Sequence, residues 1–366
     1  MEDLAGSARS NSRFVGGRWK EHGREALERG ADGAVSYVLV AGEALIDMVA
    51  QQPGVPLEQV TSFERCPGGA PANVAVGLAR LGVPVRFVGV VGDDPFGRFL
   101  RSFLERNGVD VSGMRVTGEA LTTLAFVANR EGGEREFAFY RKPGADTLLR
   151  PEDLDAGTVR RAAVLHHGTV TLADEPGRSA LLAALEEARA AGVTVSLDVN
   201  YRPALWRDPA RGLAEVRAAI DRADLVKVSR EELALVAGRD DREAAMRLLE
   251  AHPRIALLVV TEGSGGSWAV GRDGQFARAP AFRVEAVDTT GAGDAFWAAL
   301  LWRLWEAAAR QGVPVVEAAR RMSLDEMERA LRYANAAGAL TVRVRGAMTA
   351  LPTRSEVEAM VEAGSR

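Results

Sequence analysis

From Tyr37 onward, short β-branched runs alternate with amphipathic helical stretches, and this alternation restricts the fold more than any other feature of the chain. The strand-like runs read SYVLVAGEAL, VRFVGVVG, AVLHHG, VTVSLDV, DLVKVS and IALLVVTEG. Helical spacing of apolar residues falls near 72–81, 96–107, 178–191, 210–222, 231–237, 242–251, 292–311 and 326–340. Such a chain is expected to be α/β, with a mostly parallel central sheet covered by helices on both faces. One segment breaks the rhythm. LTTLAFVANREGGEREFAFYR has strand-like residues on both sides of Gly132-Gly133, which predicts a hairpin rather than a crossover. Together with Leu57–Cys66 it is expected to form a small β lid, with strands from about 57–66 and 119–141.

Composition narrows the function classes. A chain of 366 residues can bury a full core, and 46 basic against 50 acidic residues leave a net charge of -4 with no Lys/Arg stripe, which argues against a nucleic-acid partner. Cys66 is the single cysteine, so no intrachain disulfide forms, as suits a reducing compartment. No run approaches ~20 apolar residues, the length that spans a bilayer; Arg303 and Glu306 interrupt the most apolar helical stretch. A soluble, cytoplasmic protein without a membrane partner is expected. Residues 1–36 lack an apolar signal core and carry acidic residues unlike a transit peptide, so they read as a polar, flexible extension before a domain spanning 37–366.

The chemistry concentrates in VDTTGAGDAFWAALLWRLWEAA, residues 287–308. Phe296, Trp297, Leu300, Leu301, Leu304 and Trp305 fall at helical spacing, so Gly291-Ala292-Gly293 reads as the turn that enters a buried helix. Free N–H groups and the positive end of the helix dipole attract anions there, and Asp294 is placed in the same spot. A carboxylate among phosphate-attracting amides suits proton removal from a hydroxyl that attacks phosphorus. Other nucleotide chemistries lose support. The three lysines, Lys20, Lys142 and Lys227, all lack a preceding glycine, so there is no GxxxxGK[ST] loop; a complete GxGxxG after a strand and an HRD/DFG pair are also missing. The four histidines show no metal-ligand spacing, and His166-His167 read as the end of a strand.

Further candidates sit where strands hand over to helices, the place where open α/β sheets bind ligands. In ERCPGGAPANVAVGLARLG, Gly68 and Gly69 allow close backbone approach and Asn73 projects from the first helical turn, although, taken alone, a glycine pair before an Ala-rich helix more often serves close helix packing. Asp47 follows a buried strand, where a plain surface turn is the alternative.

GGAPANVAVGLARLG at 68–82 and DTTGAGDAF at 288–296 resemble the two signature segments of the ribokinase-like (PfkB-type) carbohydrate kinases. GEALIDMV, VGDDPFGRFL, FYRKPGAD, LDVNYRPALW, KVSREE and VTEGSGGSW match in order, so the resemblance runs from about Tyr37 to Leu351. It implies a three-layer α/β/α domain with a small β lid. GEALID, GGAPANVAVG and YRKPGAD look most similar to fructokinases.

The resemblance implies Asp294 as catalytic base and the amides of Gly291, Ala292 and Gly293 as the anion hole for the transferring phosphoryl group. It implies sugar contacts at Asp47, Gly68, Gly69 and Asn73, with Arg141 and Arg202 near sugar and phosphate. On the nucleotide side it implies Ser229, Thr261, Gly263, Gly266 and Asn335 around ATP, and Glu232 holding Mg²⁺ through water. Ser229 replaces the asparagine commonest in that element. Asp288 and Thr290 match a monovalent-cation site found in some members, hence K⁺. The implied activity is transfer of the γ-phosphoryl of MgATP to a primary hydroxyl of D-fructose by a homodimer. LDVNYRPALW also resembles 2-keto-3-deoxygluconate kinases, ribose and aminoimidazole riboside are further acceptors in the family, and a catalytically silent binding or regulatory protein is the reading from another class.

Overall fold

A computed structural model describes residues 37–52, 54–129 and 135–364. The expected N-terminal extension, residues 1–36, and the Gly132-Gly133 turn lie outside the described residues.

Thirteen strands form two sheets among the described residues. In chain order they are β1 (Val38–Ala41), β2 (Leu45–Ala50), β3 (Phe63–Gly68), β4 (Val85–Gly92), β5 (Asp110–Thr117), β6 (Leu124–Asn129), β7 (Arg135–Tyr140), β8 (Val164–His167), β9 (Thr194–Asp198), β10 (Leu225–Ser229), β11 (Leu257–Thr261), β12 (Ser267–Gly271) and β13 (Phe276–Ala279). The larger sheet has the order β13-β12-β11-β10-β9-β8-β1-β4-β5; the run from β11 to β5 is parallel, while β12 and β13 add an antiparallel edge.

Alternation along β1 shows why helices are needed on both faces. Val38 and Val40 enter one apolar cluster with the helices Ala70–Arg80, Ala292–Gln311 and Leu324–Thr341, whereas Leu39 enters another with Gly177–Ala191 and Pro209–Ile220. The result is a three-layer α/β/α fold. The Ala292–Gln311 helix is the most deeply set: Trp297 is fully buried, and the helix lies so close to Ala70–Arg80 that a Cβ at Gly77 would stand 2.8 Å from that of Ala298. Helix boundaries follow local capping. Asp94 accepts the N–H groups of Phe96 and Gly97 ahead of Pro95–Arg106, and Ser323 with Glu326 forms a capping box on Leu324–Thr341.

The smaller sheet, β3-β2-β6-β7, stands against one end of the larger one; β2 pairs antiparallel with β3 and parallel with β6, and β6–β7 is the antiparallel hairpin. Two details correct the sequence reading. SYVLVAGEAL is not one strand, because the chain leaves the large sheet at Ala41 and begins β2 of the small sheet at Leu45. Gly42-Glu43, the break in the apolar run, is the local mark of this transfer between sheets. Leu57–Gln59 is a single 3₁₀ turn, so the lid strand starts at Phe63 and not at 57; Pro56, which cannot donate a ladder hydrogen bond, sits at its N-cap. The strands β5, β12 and β13 and the helix Arg354–Ala363 had no sequence counterpart.

β1 is flanked by β8 on one side and β4 on the other, so strand order reverses there. A crevice at such a switch point, outside the carboxyl ends of the strands, is where this architecture takes ligands. The segment leaving β1 rises directly into the small sheet, which places that sheet beside the crevice.

Candidate active site

One cavity opens at this switch point. Asp47, Gly69, Asn73, Arg141, Arg202, Thr290, Gly291 and Asp294 all line it, together with Glu43. Eight candidates drawn from segments up to 247 positions apart, Asp47 to Asp294, therefore meet in one place.

Gly291 is the N-cap of the Ala292–Gln311 helix in a left-handed conformation, φ 78°, and a Cβ there would press on Ala347 at 2.7 Å. Glycine is the residue that fits. Ala292 N–H makes only a long 3.4 Å bond to Thr289 O, and the first-turn amides that follow have no acceptor inside the helix. Asp294 lies in that turn, buried, with Asn73 Nδ2 donating to its Oδ2 at 2.6 Å. Burial pushes the Asp294 carboxyl up to about 6; Asp198 adds to the rise, while the Asn73 hydrogen bond, Lys227 and Arg202 oppose it.

The Gly68-Gly69 pair has a specific purpose beyond helix packing. A Cβ at Gly68 would collide with the Asp47 carboxylate, and one at Gly69 (φ 102°) would stand 2.5 Å from the Glu43 carbonyl oxygen. The two glycines thus let β3 close onto β2 while Asp47 stays turned to the cavity. Arg141 is buried: its Nε donates to Asp146 at 2.7 Å, its Nη1 to Asp174 at 2.7 Å and its Nη2 to the Val170 carbonyl. Arg202 is exposed, its guanidinium 6.0 Å from the centre of the Phe137 ring on the small sheet.

The other candidates gather at neighbouring strand ends. Ser229 ends β10 and Thr261 ends β11, as register partners. Ser229 caps Arg230–Ala237 in a capping box with Glu232, whose Oε2 accepts Ser229 N–H at 2.8 Å and whose Oε1 accepts Tyr201 N–H at 2.7 Å. Burial, with Asp198 nearby, raises the Glu232 carboxyl above its ordinary value. Gly263 (φ 54°) and Gly266 (φ 95°) shape the turn after β11, and a Cβ at Gly266 would collide with Ala279 O. Asn335 donates to that same carbonyl at 3.0 Å and to Pro280 O at 3.2 Å, so it anchors the chain beyond β13. Asp288 Oδ1 accepts from the N–H and hydroxyl of Thr290 at 2.9 and 2.6 Å, and its Oδ2 from Gly346 N–H at 3.0 Å.

Two features escaped the sequence reading. Glu43 lines the cavity with Oε2 buried and unpartnered, and burial lifts its carboxyl to about 8. Lys227 and Asp198 form a buried pair on adjacent strands, Nζ 2.8 Å from both carboxylate oxygens. A charged residue in the middle of the apolar run DLVKVS was the available signal for Lys227. His166 and His167 end β8 as expected from the sequence, and burial draws their rings down to about 3 and about 4, which keeps them neutral.

A three-layer α/β/α domain whose switch-point cavity is bordered by a separate small sheet defines the ribokinase-like class of kinases. The chain belongs to the pfkB family of carbohydrate kinases, whose family model matches residues 35–354, and it is thus a phosphotransferase acting on a sugar hydroxyl. It is 43% identical over 330 residues to fructokinase-1 of Oryza sativa subsp. japonica, covering 90% of this chain and 99% of the relative. The crystal structure of fructokinase with bound ATP from Xylella fastidiosa superposes with a TM-score of 0.80 at 37% identity, covering 90% of this chain and 99% of that one. A fructokinase double mutant from Vibrio cholerae O395, bound to fructose, ADP and potassium ion, superposes with a TM-score of 0.78 at 33% identity, covering 90% and 100%. No helix among the described residues is long and apolar enough to cross a membrane.

Proposed function

We propose that the protein is an ATP-dependent fructokinase in which Asp294 is the general base. The observation that carries this reading is the meeting of a buried carboxylate, a glycine-entered helix N-terminus and a polar, sugar-sized set of donors and acceptors in one cavity. Asp294 takes the proton of the primary hydroxyl as its oxygen forms a bond to the γ-phosphorus; the bond from that phosphorus to the β–γ bridging oxygen breaks, and ADP leaves. The amides of Gly291, Ala292 and Gly293 meet the charge on the equatorial oxygens. Asp47, Asn73 and the backbone at Gly68-Gly69 hold the sugar, with Arg202 at the rim beside the phosphoryl group. Asn73 Oδ1 and Glu43 Oε2, both buried without a partner, are atoms that a polyol would satisfy.

ATP is assigned to the ends of β10 and β11, with Ser229, Thr261, Gly263 and Gly266 about the phosphates and ribose and Asn335 behind the adenine. Glu232 fits Mg²⁺ through water: backbone N–H groups already occupy both of its oxygens, which disfavours direct ligation. When bound, the ion neutralises phosphate charge. Asp288 and Thr290 supply oxygens for a monovalent cation such as K⁺. A cytoplasmic homodimer meeting through the small sheet, whose Tyr140 is 67% exposed, completes the reading.

A second reading keeps the chemistry but takes a keto acid. Arg141 argues against it, because two carboxylates of the protein, Asp146 and Asp174, already fill its fork. The test is a coupled assay of fructose, 2-keto-3-deoxygluconate, ribose and aminoimidazole riboside, with and without K⁺, alongside light scattering. Turnover on fructose by a species of two-chain mass is expected. Turnover on the keto acid alone overturns the acceptor, no turnover on any sugar overturns the kinase reading, and a one-chain mass overturns the dimer.

A further inference from the structure

We infer that Lys227 and Asp198 act as paired positioning residues that set the proton affinity of Asp294 in opposite senses. Its catalytic consequence rests on the reading of Asp294 as the base.

Register brings the pair together: Lys227 of β10 lies directly opposite Asp198 of β9. The flanking residues Val226, Val228, Leu197 and Val199 all enter the cluster on the far face of the sheet, so both charged side chains point to the face covered by the Ala292–Gln311 helix. There the ammonium sits 2.8 Å from each Asp198 oxygen and would lie 3.3 Å from a Cβ at Gly293. It stands directly under the turn that carries Asp294. Both members are nearly inaccessible, with side-chain exposures of 7% and 3%.

A merely structural purpose accounts poorly for this arrangement. Desolvating two charges costs about as much as their attraction returns, and well-packed apolar residues would serve stability as well or better. The pair also is not isolated. Lys227 feels Asp198, Glu232 and Asp294 together, which hold its ammonium charged against the opposing effect of burial. The charged groups that weigh most on Asp294 are Asp198 and Lys227 on the sheet and Arg202 on the loop after β9, with the Asn73 amide donating from the Ala70–Arg80 helix; Asp47 and Glu43 line the same cavity from the β1–β2 segment. Two of these stand out as an opposed couple: Asp198 disfavours ionisation of Asp294, and Lys227 favours it. A base needs to be ionised before the hydroxyl arrives yet basic enough to take its proton, and an opposed buried couple meets both needs.

The experiment measures Asp294 directly and then through catalysis. The Asp294 side-chain carboxyl is followed by ¹³C NMR against pH in the nucleotide-free full chain, with Asp294→Asn as the assignment control, in Lys227→Met, Asp198→Asn and the double variant. Lys227→Met is expected to move the Asp294 midpoint up by about one pH unit, and Asp198→Asn to move it down by about as much, the scale for a charge within a few Å. The double variant is expected close to the wild-type value; it also guards against misfolding, because neither member of the pair is left charged without the other. Midpoints that stay within about 0.2 units in all three folded variants overturn the inference, as do single-variant shifts of the same sign. The acidic limb of kcat against pH should follow the same order. If the NMR midpoints move as stated and the limb does not, the inference stands and Asp294 loses its assignment as base.

Discussion

The cavity and the neighbouring strand ends beside it are built on different principles. In the cavity, the proposed acceptor side, the groups are buried or half-buried side chains packed on their neighbours: Arg141 between Asp146 and Asp174, Asp47 against Gly68, and Asn73 on Asp294. On the proposed nucleotide side, at the ends of β10 and β11, backbone shape predominates, with Gly263 and Gly266 at positive φ, Ser229 spent on a helix cap and Asn335 on two carbonyls. A network of desolvated charges rejects wrong partners because each unmatched group is costly, whereas a backbone cradle tolerates changes of side chain. This contrast explains how Ser229 stands where the commonest pattern has asparagine. Serine and asparagine cap helices about equally well.

The largest expected effect lies where the two sides join. Asp294→Asn should lower kcat by at least ~10²-fold with nucleotide affinity largely kept, as steady-state kinetics and nucleotide titration would show. The same variant should be more stable at pH 8. The folded Asp294 value of about 6 lies above the ordinary 3.8, so ionising it disfavours the fold and stability is lost as pH rises through about 6. Removing that charge should return on the order of 3 kcal/mol at pH 8 and almost nothing at pH 4, measurable by denaturant melts at both pH values. Unchanged kcat would dissolve the junction, leaving two unrelated surfaces.

Next in size is Arg141→Met. It strands Asp146 and Asp174 without their cation, for a loss of about 3–5 kcal/mol in urea unfolding and a raised KM for sugar but not for ATP. A loss under about 1 kcal/mol would mean that the acceptor side is no more interlocked than an exposed ion pair. The smallest effect is expected on the cradle. Ser229→Ala should cost about 1 kcal/mol through the lost cap, and Ser229→Asn only a few tenths, with KM for ATP moving modestly in either case. A collapse of ATP binding in Ser229→Asn would show that the nucleotide side also depends on one side chain.

Much of this architecture is legible in the amino-acid pattern alone. Helices at 292–311 and 242–251 appear with their expected ends, because strong apolar periodicity and capping residues are local signals. GAGD announces a glycine-entered helix start, since Gly291 at φ 78° is a local backbone demand that only a glycine meets easily. The same glycine logic leaves Gly68 ambiguous. What it avoids is Asp47 on the neighbouring strand, and strand pairing is not written in either segment alone. β12 and β13 escape for a related reason: an antiparallel edge on a parallel sheet is decided by which partner is available.

The layers, the helix termini and the residues able to do chemistry follow from the chain's local pattern, because periodicity, capping and side-chain type act within a few positions. Three properties of the site arise only once the chain is folded: Glu43 Oε2 is buried without a partner, Arg141 is occupied by the protein's own carboxylates, and Lys227 and Asp198 lie beneath Asp294. Burial and electrostatic environment depend on atoms brought together from distant segments, and a carboxylate at about 6 differs from one near 3.8 only through those neighbours.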